Sequence, residues 1–284
     1  MMSISNLSYK DYSFAHHGEV YTILEKVFAQ FGISYYLVGA NARDVQLYKK
    51  GIKPSRGTAD IDFAIMIPDF ETYNAVFETL CTMGFRKANE NYRLYFEKTN
   101  TAIDLMPYGE IEQEYTVTFI DRDLTLSVLG FKEVGEKAES FQPENEKFTI
   151  PVTPVEGILI LKLVAWSEKP ETRTKDLEDI SFLLKHGWDL YEDEAYADHL
   201  DLFDDDFEQT NTAARIIGRK MHPILEQNSK LHQTIVTVLE NSIATKQKAE
   251  NPEIQLAQSM DKTIEDVQHI LSLVLQGIND KPKQ

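Results

Sequence analysis

The chain has 284 residues, 42% of them hydrophobic and 26% charged, which is enough for one large domain or two modest domains with real cores. Its 46 acidic and 29 basic residues give a formal net charge of −17, which argues against a protein that coats nucleic acid by bulk electrostatics. A single cysteine, Cys81, excludes an intrachain disulfide, and its apolar-periodic surroundings predict a core thiol.

The sequence predicts neither a membrane span nor a secretion signal. No apolar run approaches the roughly 18 residues that a membrane span needs, and residues 1–18 lack the apolar core of a signal peptide. We therefore expect a cytoplasmic protein without membrane contact. His16 and His17 are too isolated to form a zinc site, and we expect both to be exposed.

The first half of the chain alternates between helical and strand patterns, which predicts a small mixed sheet with helices packed against it. Gly39 marks a tight turn that could face a ligand. In chain order, the predicted elements are helix 20–31, strand 35–38, a helix after Gly39, strand 60–67, helix 70–80, the hairpin 92–96 and 101–106, and strands 124–129 and 148–152.

Beyond Pro154 the apolar spacing is helical throughout. The predicted helical segments are 158–166, 177–184, 216–225, 231–239 and 264–275. The fold class is therefore α+β, with a small mixed-sheet catalytic domain over 1–152 and a helical bundle domain over 153–284.

Two carboxylates stand out on the strand over 60–67. Because strand side chains alternate, Asp60 and Asp62 project from one face while Ile61 and Phe63 project from the other, buried face. Like charges at that separation raise one another's pKa unless a cation lies between them, and a divalent metal resolves the conflict. Asp104, on a later apolar strand, could add a third oxygen ligand or a base.

Taken alone, an Asp-x-Asp on a strand is also typical of a polar edge strand or a loop end. Here, however, a glycine turn precedes the pair, a basic loop through Arg56 leads into it, and another strand aspartate follows. This context favours a metal site.

These motifs carry a resemblance to a known family. LVGANARD, RGTADIDFAI and TAIDLMPYG, in this order, resemble the glycine turn, paired aspartates and third strand aspartate of the polymerase-beta superfamily of nucleotidyltransferases. The later stretches VEGILILKLVAW and RTKDLEDISFLL are similar to the helical motifs of the AbiEii-type toxin nucleotidyltransferases. The resemblance covers residues 17–187.

The resemblance implies roles for particular residues. In the first domain, Asp60, Asp62 and Asp104 would bind Mg²⁺ or Mn²⁺, while Gly39, Ala40 and Thr58 would contact the nucleoside triphosphate. From the helical domain, Lys162, Lys175 and Asp179 would contact the nucleotide and complete the cleft, and Asp176 would be the base that deprotonates the acceptor. Where this chain has Ala40, the family usually has a second glycine or a serine, so one phosphate contact is made differently or lost.

Phosphoryl-type transfer also needs basic residues near the triphosphate. Arg43, Arg56 and Lys162 are the candidates. The alternatives are a surface pair of Arg43 with Asp44, a solvated loop position for Arg56, and a Lys162 stem that lies on the core with its amine in water. For Asp176 and Asp179 the alternative is helix capping or surface pairing.

Three functions remain open from the sequence. The first is transfer of a nucleoside monophosphate from a nucleoside triphosphate to an RNA, as in a toxin with an antitoxin partner. The second is the same transfer to a small hydroxylated acceptor, as in the aminoglycoside nucleotidyltransferases, which the acidic second half would suit. The third is a non-catalytic protein of the same fold that binds a nucleotide or a partner.

Overall fold

The computed structural model describes residues 12–120, 123–143, 148–205, 207–244 and 252–280. The chain divides into two compact units, one ending at Pro154 and the other beginning at Val155. The first contains a mixed sheet with helices, and the described part of the second contains helices without strands, so the predicted α+β fold class is confirmed. Within these ranges, no helix is both long and apolar enough to cross a membrane.

The amino-terminal unit is built around a seven-stranded sheet. Its described helices and strands are α1 (Gly18–Phe31), β1 (Tyr35–Val38), α2 (Gly39–Lys49), β2 (Asp60–Met66), α3 (Phe70–Thr82), β3 (Phe85–Lys87), β4 (Arg93–Phe96), β5 (Thr101–Tyr108), β6 (Thr116–Phe119), β7 (Leu124–Ser127), α4 (Phe131–Gly135), β8 (Glu139–Phe141) and β9 (Ile150–Val152). The large sheet has the order β3-β4-β5-β2-β1-β9-β8, while β6 and β7 form a separate pair. Strand β2 is central, parallel to β5 and antiparallel to β1.

The alternation predicted for β2 is present. Ile61 is 0% exposed and Phe63 is 1% exposed, on the face that α1 covers. The Phe63 ring lies 5.9 Å from the ring of Tyr21 and 6.1 Å from the ring of Phe28, both on α1. Burial of this apolar face fixes which way β2 faces, because a slip of one residue would turn the aspartates into the core.

The predicted hairpin is also present, since β4 and β5 pair antiparallel. In this unit, the helices and strands that were not predicted are β3, β6, α4 and β8, each of three to five residues. Segments this short have too few positions to display a hydrophobic period.

The carboxy-terminal unit contains longer helices. They are α5 (Val155–Glu168), α6 (Thr174–Lys185), α7 (Gly187–Asp198), α8 (Gln209–Leu225), α9 (Ser229–Ile243), α10 (Pro252–Met260) and α11 (Ile264–Ile278). Helices α8 and α11 are in backbone contact, because a Cβ on Gly218 would overlap the carbonyl oxygen of Val274. Helices α7 and α10 were not predicted, and the acid-rich sequence of α7 conceals buried positions such as Trp188 and Tyr191.

The expectation that His17 is exposed was wrong, although His16 is exposed. His17 is 8% exposed at the start of α1, where its ring meets that of Tyr21 edge-on at 6.1 Å. Burial, assisted by the charge of His16, lowers the pKa of His17 to about 4. The folded protein therefore holds this imidazole neutral.

This burial predicts a pH dependence of stability. The pKa of His17 is 6.5 in the unfolded chain and about 4 in the folded one, so between these values the unfolded chain binds more protons and stability falls as pH falls. From this group alone we expect a loss of about 2 kcal/mol between pH 7 and pH 5. Urea unfolding gives the free energy of unfolding of wild type and of His17→Gln at both pH values. The contribution of His17 is the loss between pH 7 and pH 5 in wild type minus the loss in His17→Gln.

The matched control is His16→Gln, which alters the exposed neighbour and should keep the wild-type pH dependence. Equal pH dependence in His17→Gln and wild type would contradict the assignment of a buried, neutral His17.

Candidate active site

Three carboxylates meet on two parallel strands. The register between β2 and β5 places Asp62 beside Asp104, and Asp60 is two residues back on the same face of β2. One oxygen from each carboxylate lies within 4.8 Å of the others. The structure thus brings together the three residues that the sequence predicted as a metal site.

The donor set fits a hard divalent cation. Carboxylate oxygens are the ligands that Mg²⁺ prefers in proteins, and it takes one or two of them together with substrate phosphates. The site grades from exposed to buried, since the side chain of Asp60 is 42% exposed and that of Asp104 is 8% exposed. Asp60, Asp62 and Asp104 would hold such an ion with an open side for a substrate.

Gly39 comes against the carboxylate of Asp62. It is the first residue of α2 and has a φ of +67°, a conformation that L side chains rarely adopt. A Cβ at this position would overlap the Asp62 carboxylate. The glycine turn predicted to face a ligand is therefore part of the carboxylate site itself.

Two further side chains hold Asp60 in place. The Thr58 hydroxyl donates to Asp60 Oδ1 at 2.5 Å, and Asn41 Nδ2, on α2, donates to the Asp60 carbonyl oxygen at 2.5 Å. The Thr58 amide in turn donates to the Ser13 hydroxyl at 2.9 Å. Thr58 thus orients the Asp60 carboxylate, and its predicted contact with the nucleotide stays a prediction.

Arg93 was not predicted. It lies opposite Asp104 in the pairing of β4 with β5, and its Nε and Nη2 donate to the two Asp104 oxygens at 2.6 and 2.8 Å. Its Nη2 is also 3.6 Å from Asp60 Oδ2. The signal was in the predicted hairpin, because pairing residues symmetrically about its turn sets Arg93 across from Asp104.

Burial and Arg93 act on Asp104 in opposite directions. Burial raises the pKa of the Asp104 carboxyl, while the hydrogen bonds and charge of Arg93 lower it, and burial dominates. The ion pair with Asp104 also raises the pKa of Arg93, chiefly through the hydrogen bonds between the two side chains. Arg93 therefore remains a cation at the edge of the carboxylates.

Two predicted phosphate contacts lie away from solvent. The Arg43 side chain is 0% exposed, with Nη2 at 2.6 Å from Asp44 Oδ1 and 3.0 Å from the Arg56 carbonyl oxygen. The pair with Asp44 is thus buried and not on the surface, and this geometry does not favour Arg43 as a phosphate ligand. Ala40 is also buried, in the first turn of α2, and Arg56 is half-buried.

The residues predicted from the second unit form a separate group there. Lys162 on α5 is buried, with Nζ at 2.7 Å from Asp179 Oδ2 and 2.9 Å from Asp176 Oδ1, both on α6. Its anionic partners are therefore internal to the helical unit, whereas Lys175 is exposed. The nucleotide and base roles predicted for these residues stay predictions.

Comparison with known proteins gives one family. The model of the family described as "Nucleotidyl transferase AbiEii toxin, Type IV TA system" matches residues 22–272. No curated protein has a significantly similar sequence. Among solved structures, the antibiotic-resistance factor ANT(2'')-Ia in its solution structure is 10% identical, with a TM-score of 0.36 over 79% of this chain and 96% of that chain.

The contact between Gly39 and Asp62 predicts an unequal effect of two alanine substitutions. Gly39→Ala and Gly51→Ala both place alanine at a positive φ, +67° and +66°, which costs about 1 kcal/mol each. Only Gly39→Ala also meets the Asp62 carboxylate, whereas the space around Gly51 is open. We expect Gly39→Ala to lose about 2 kcal/mol more in urea unfolding. Equal losses would show that Asp62 moves aside freely.

The contacts of Lys162 with Asp176 and Asp179 predict that the stability of the helical unit depends strongly on the Lys162 side chain. Lys162→Met removes the partner of two carboxylates, and breaking such a buried pair typically costs about 3–5 kcal/mol. The exposed Lys175→Met is the matched control, with a change of about 0.5 kcal/mol or less. The free energy of unfolding of both variants tests this, and a Lys162→Met variant as stable as Lys175→Met would rule out a structural role for the pair.

Proposed function

The chain belongs to the AbiEii nucleotidyl transferase family, and from this premise we propose that it moves a nucleoside monophosphate from a nucleoside triphosphate to an acceptor hydroxyl. Asp60, Asp62 and Asp104 hold Mg²⁺ or Mn²⁺ for this reaction. The observation that carries the proposal is the meeting of three carboxylates on adjacent parallel strands, beside a glycine whose missing side chain leaves room for the Asp62 carboxylate.

These carboxylates would hold the cation, which would supply charge neutralisation to the phosphoryl oxygens and to the leaving pyrophosphate. The chain's own residues prepare for it. Thr58 fixes the Asp60 carboxylate through its hydrogen bond, and Gly39 lets the triphosphate approach the backbone at the start of α2. We propose that Ala40, on α2, and Arg56, in the segment between α2 and β2, contact the triphosphate as well.

In the helical unit we propose Asp176 as the base that takes the proton of the acceptor hydroxyl. Its position in the RTKDLEDISFLL motif supports this role, and the contact of its Oδ1 with Lys162 Nζ at 2.9 Å holds the carboxylate in one orientation. Lys162, Lys175 and Asp179 are proposed to contact the nucleotide. Arg43, enclosed with Asp44, has a structural role.

For the acceptor we propose RNA, and for the protein a toxin role with an antitoxin partner. The support is the family, whose description names a toxin of a type IV toxin-antitoxin system. The net charge of −17 implies that RNA would be bound at a local site and not along a broad basic surface. A small adjacent reading frame for a DNA-binding antitoxin would support the partner.

The test is transfer of label from each of the four nucleoside triphosphates, with Mg²⁺, into total RNA and into a panel of aminoglycosides. We expect wild type to label RNA and the double variant Asp60→Ala with Asp62→Ala to label nothing, because the variant lacks two of the three carboxylates. Glu97→Gln removes an exposed carboxylate outside the site and should behave as wild type.

Label in an aminoglycoside alone would support the proposed nucleotidyl transfer but would show that the acceptor is a small molecule and not RNA. Absence of transfer to any acceptor, together with absence of metal-dependent nucleotide binding, would favour the non-catalytic alternative.

A further inference from the structure

Arg93 places a positive charge beside two of the three carboxylates, Asp104 and Asp60. Its guanidinium engages both oxygens of Asp104 and reaches within 3.6 Å of Asp60 Oδ2, so it links two of the three carboxylates. Such a fork-to-fork arrangement is the strong, directional form of a carboxylate hydrogen bond. The charge that a bound metal would neutralise is thus partly neutralised by the chain itself.

The backbone of Arg93 is fixed, but its guanidinium has room to leave. Strand pairing places Arg93 opposite Asp104 between the edge-side β3 and β5, so the main chain cannot move without breaking the sheet. The Arg93 side chain is 24% exposed, whereas that of Asp104 is 8% exposed. Rotation of the arginine side chain alone would therefore free the Asp104 oxygens.

We propose that Arg93 is a resident counter-ion that the divalent cation must displace, and that it thereby sets the metal affinity of the site. This inference rests on the proposed function. A cation that coordinates Asp60 and Asp104 meets both the hydrogen bonds of Arg93 and its charge, and each opposes binding. Arg93 is a positioning residue that acts through the two carboxylates, and it keeps them together while metal is absent.

A purely structural arginine predicts the opposite. If Arg93 served only to join β4 to β5 and to orient Asp104 for coordination, its removal would loosen the site and weaken metal binding. The sign of the change in affinity therefore separates the two roles, and it is measured without any turnover.

The experiment titrates Mn²⁺ alone into wild type, Arg93→Gln and Arg93→Lys, and follows free Mn²⁺ by electron paramagnetic resonance. Removal of a unit positive charge beside a divalent ion should tighten binding in Arg93→Gln by roughly tenfold or more. Arg93→Lys keeps the charge and loses the two-pronged contact, so its affinity should lie between those of the other two.

A second readout is the melting temperature with and without Mn²⁺. We expect metal-free Arg93→Gln to melt below wild type, because the carboxylates lose their counter-ion, and Mn²⁺ to raise its melting temperature by more than that of wild type. If Arg93→Gln does not fold without metal, the titration of Arg93→Lys still decides, with an affinity equal to or below that of wild type counting against the proposal.

The variant Asp62→Asn distinguishes a failure of the counter-ion role from a failure of the metal site itself. If Mn²⁺ binds wild type and Asp62→Asn lowers the affinity, the metal site stands, and equal or weaker binding by Arg93→Gln then overturns the counter-ion role alone. If neither wild type nor Arg93→Gln binds Mn²⁺ in a way that Asp62→Asn reduces, the metal site of the proposed function fails with it.

Discussion

Three carboxyl groups held side by side on parallel strands repel one another, and the surrounding parts of the amino-terminal unit restrain that repulsion. Apolar burial of Ile61 and Phe63 against α1 keeps Asp60 and Asp62 on the opposite face. Hydrogen bonds from Thr58, and the fork of Arg93 on Asp104, then stabilise carboxylates that the sheet cannot separate. Because these like charges repel one another, a divalent cation bound between them would relieve the repulsion.

The same principle of local neutralisation recurs elsewhere in the chain. Arg43 is enclosed with Asp44 in the sheet unit, and Lys162 lies between two aspartates in the helical unit. In each case a basic residue that was predicted from the sequence as a phosphate contact already has a carboxylate partner. For Lys162 to contact a triphosphate as proposed, the phosphate would have to compete with these two carboxylates.

The sequence was most informative where a period repeats over several residues. Strand β2 and helix α1 follow from alternation and helical spacing, β1 follows from a short apolar run, and Asp60 and Asp62 follow from the two-residue period of a strand. That Asp104 joins them, however, depends on the register of β2 with β5, which is a non-local property that the family resemblance supplied. Arg93 was overlooked because arginines are common on strands, and its role becomes visible only when Asp104 is known to be its cross-strand partner. The burial of His17 depends on tertiary packing that no local pattern encodes.

The parallel pairing of β2 with β5 has a consequence for biosynthesis. Parallel strands cannot be joined by a tight turn, and here the chain passes through α3, β3 and β4 between Asp62 and Asp104. A nascent chain that has emerged only as far as β2 carries two of the three carboxylates, and the long-range closure that adds the third is among the slower steps of folding. The three carboxylates proposed to hold the metal therefore come together only after β5 has been synthesised and has paired with β2.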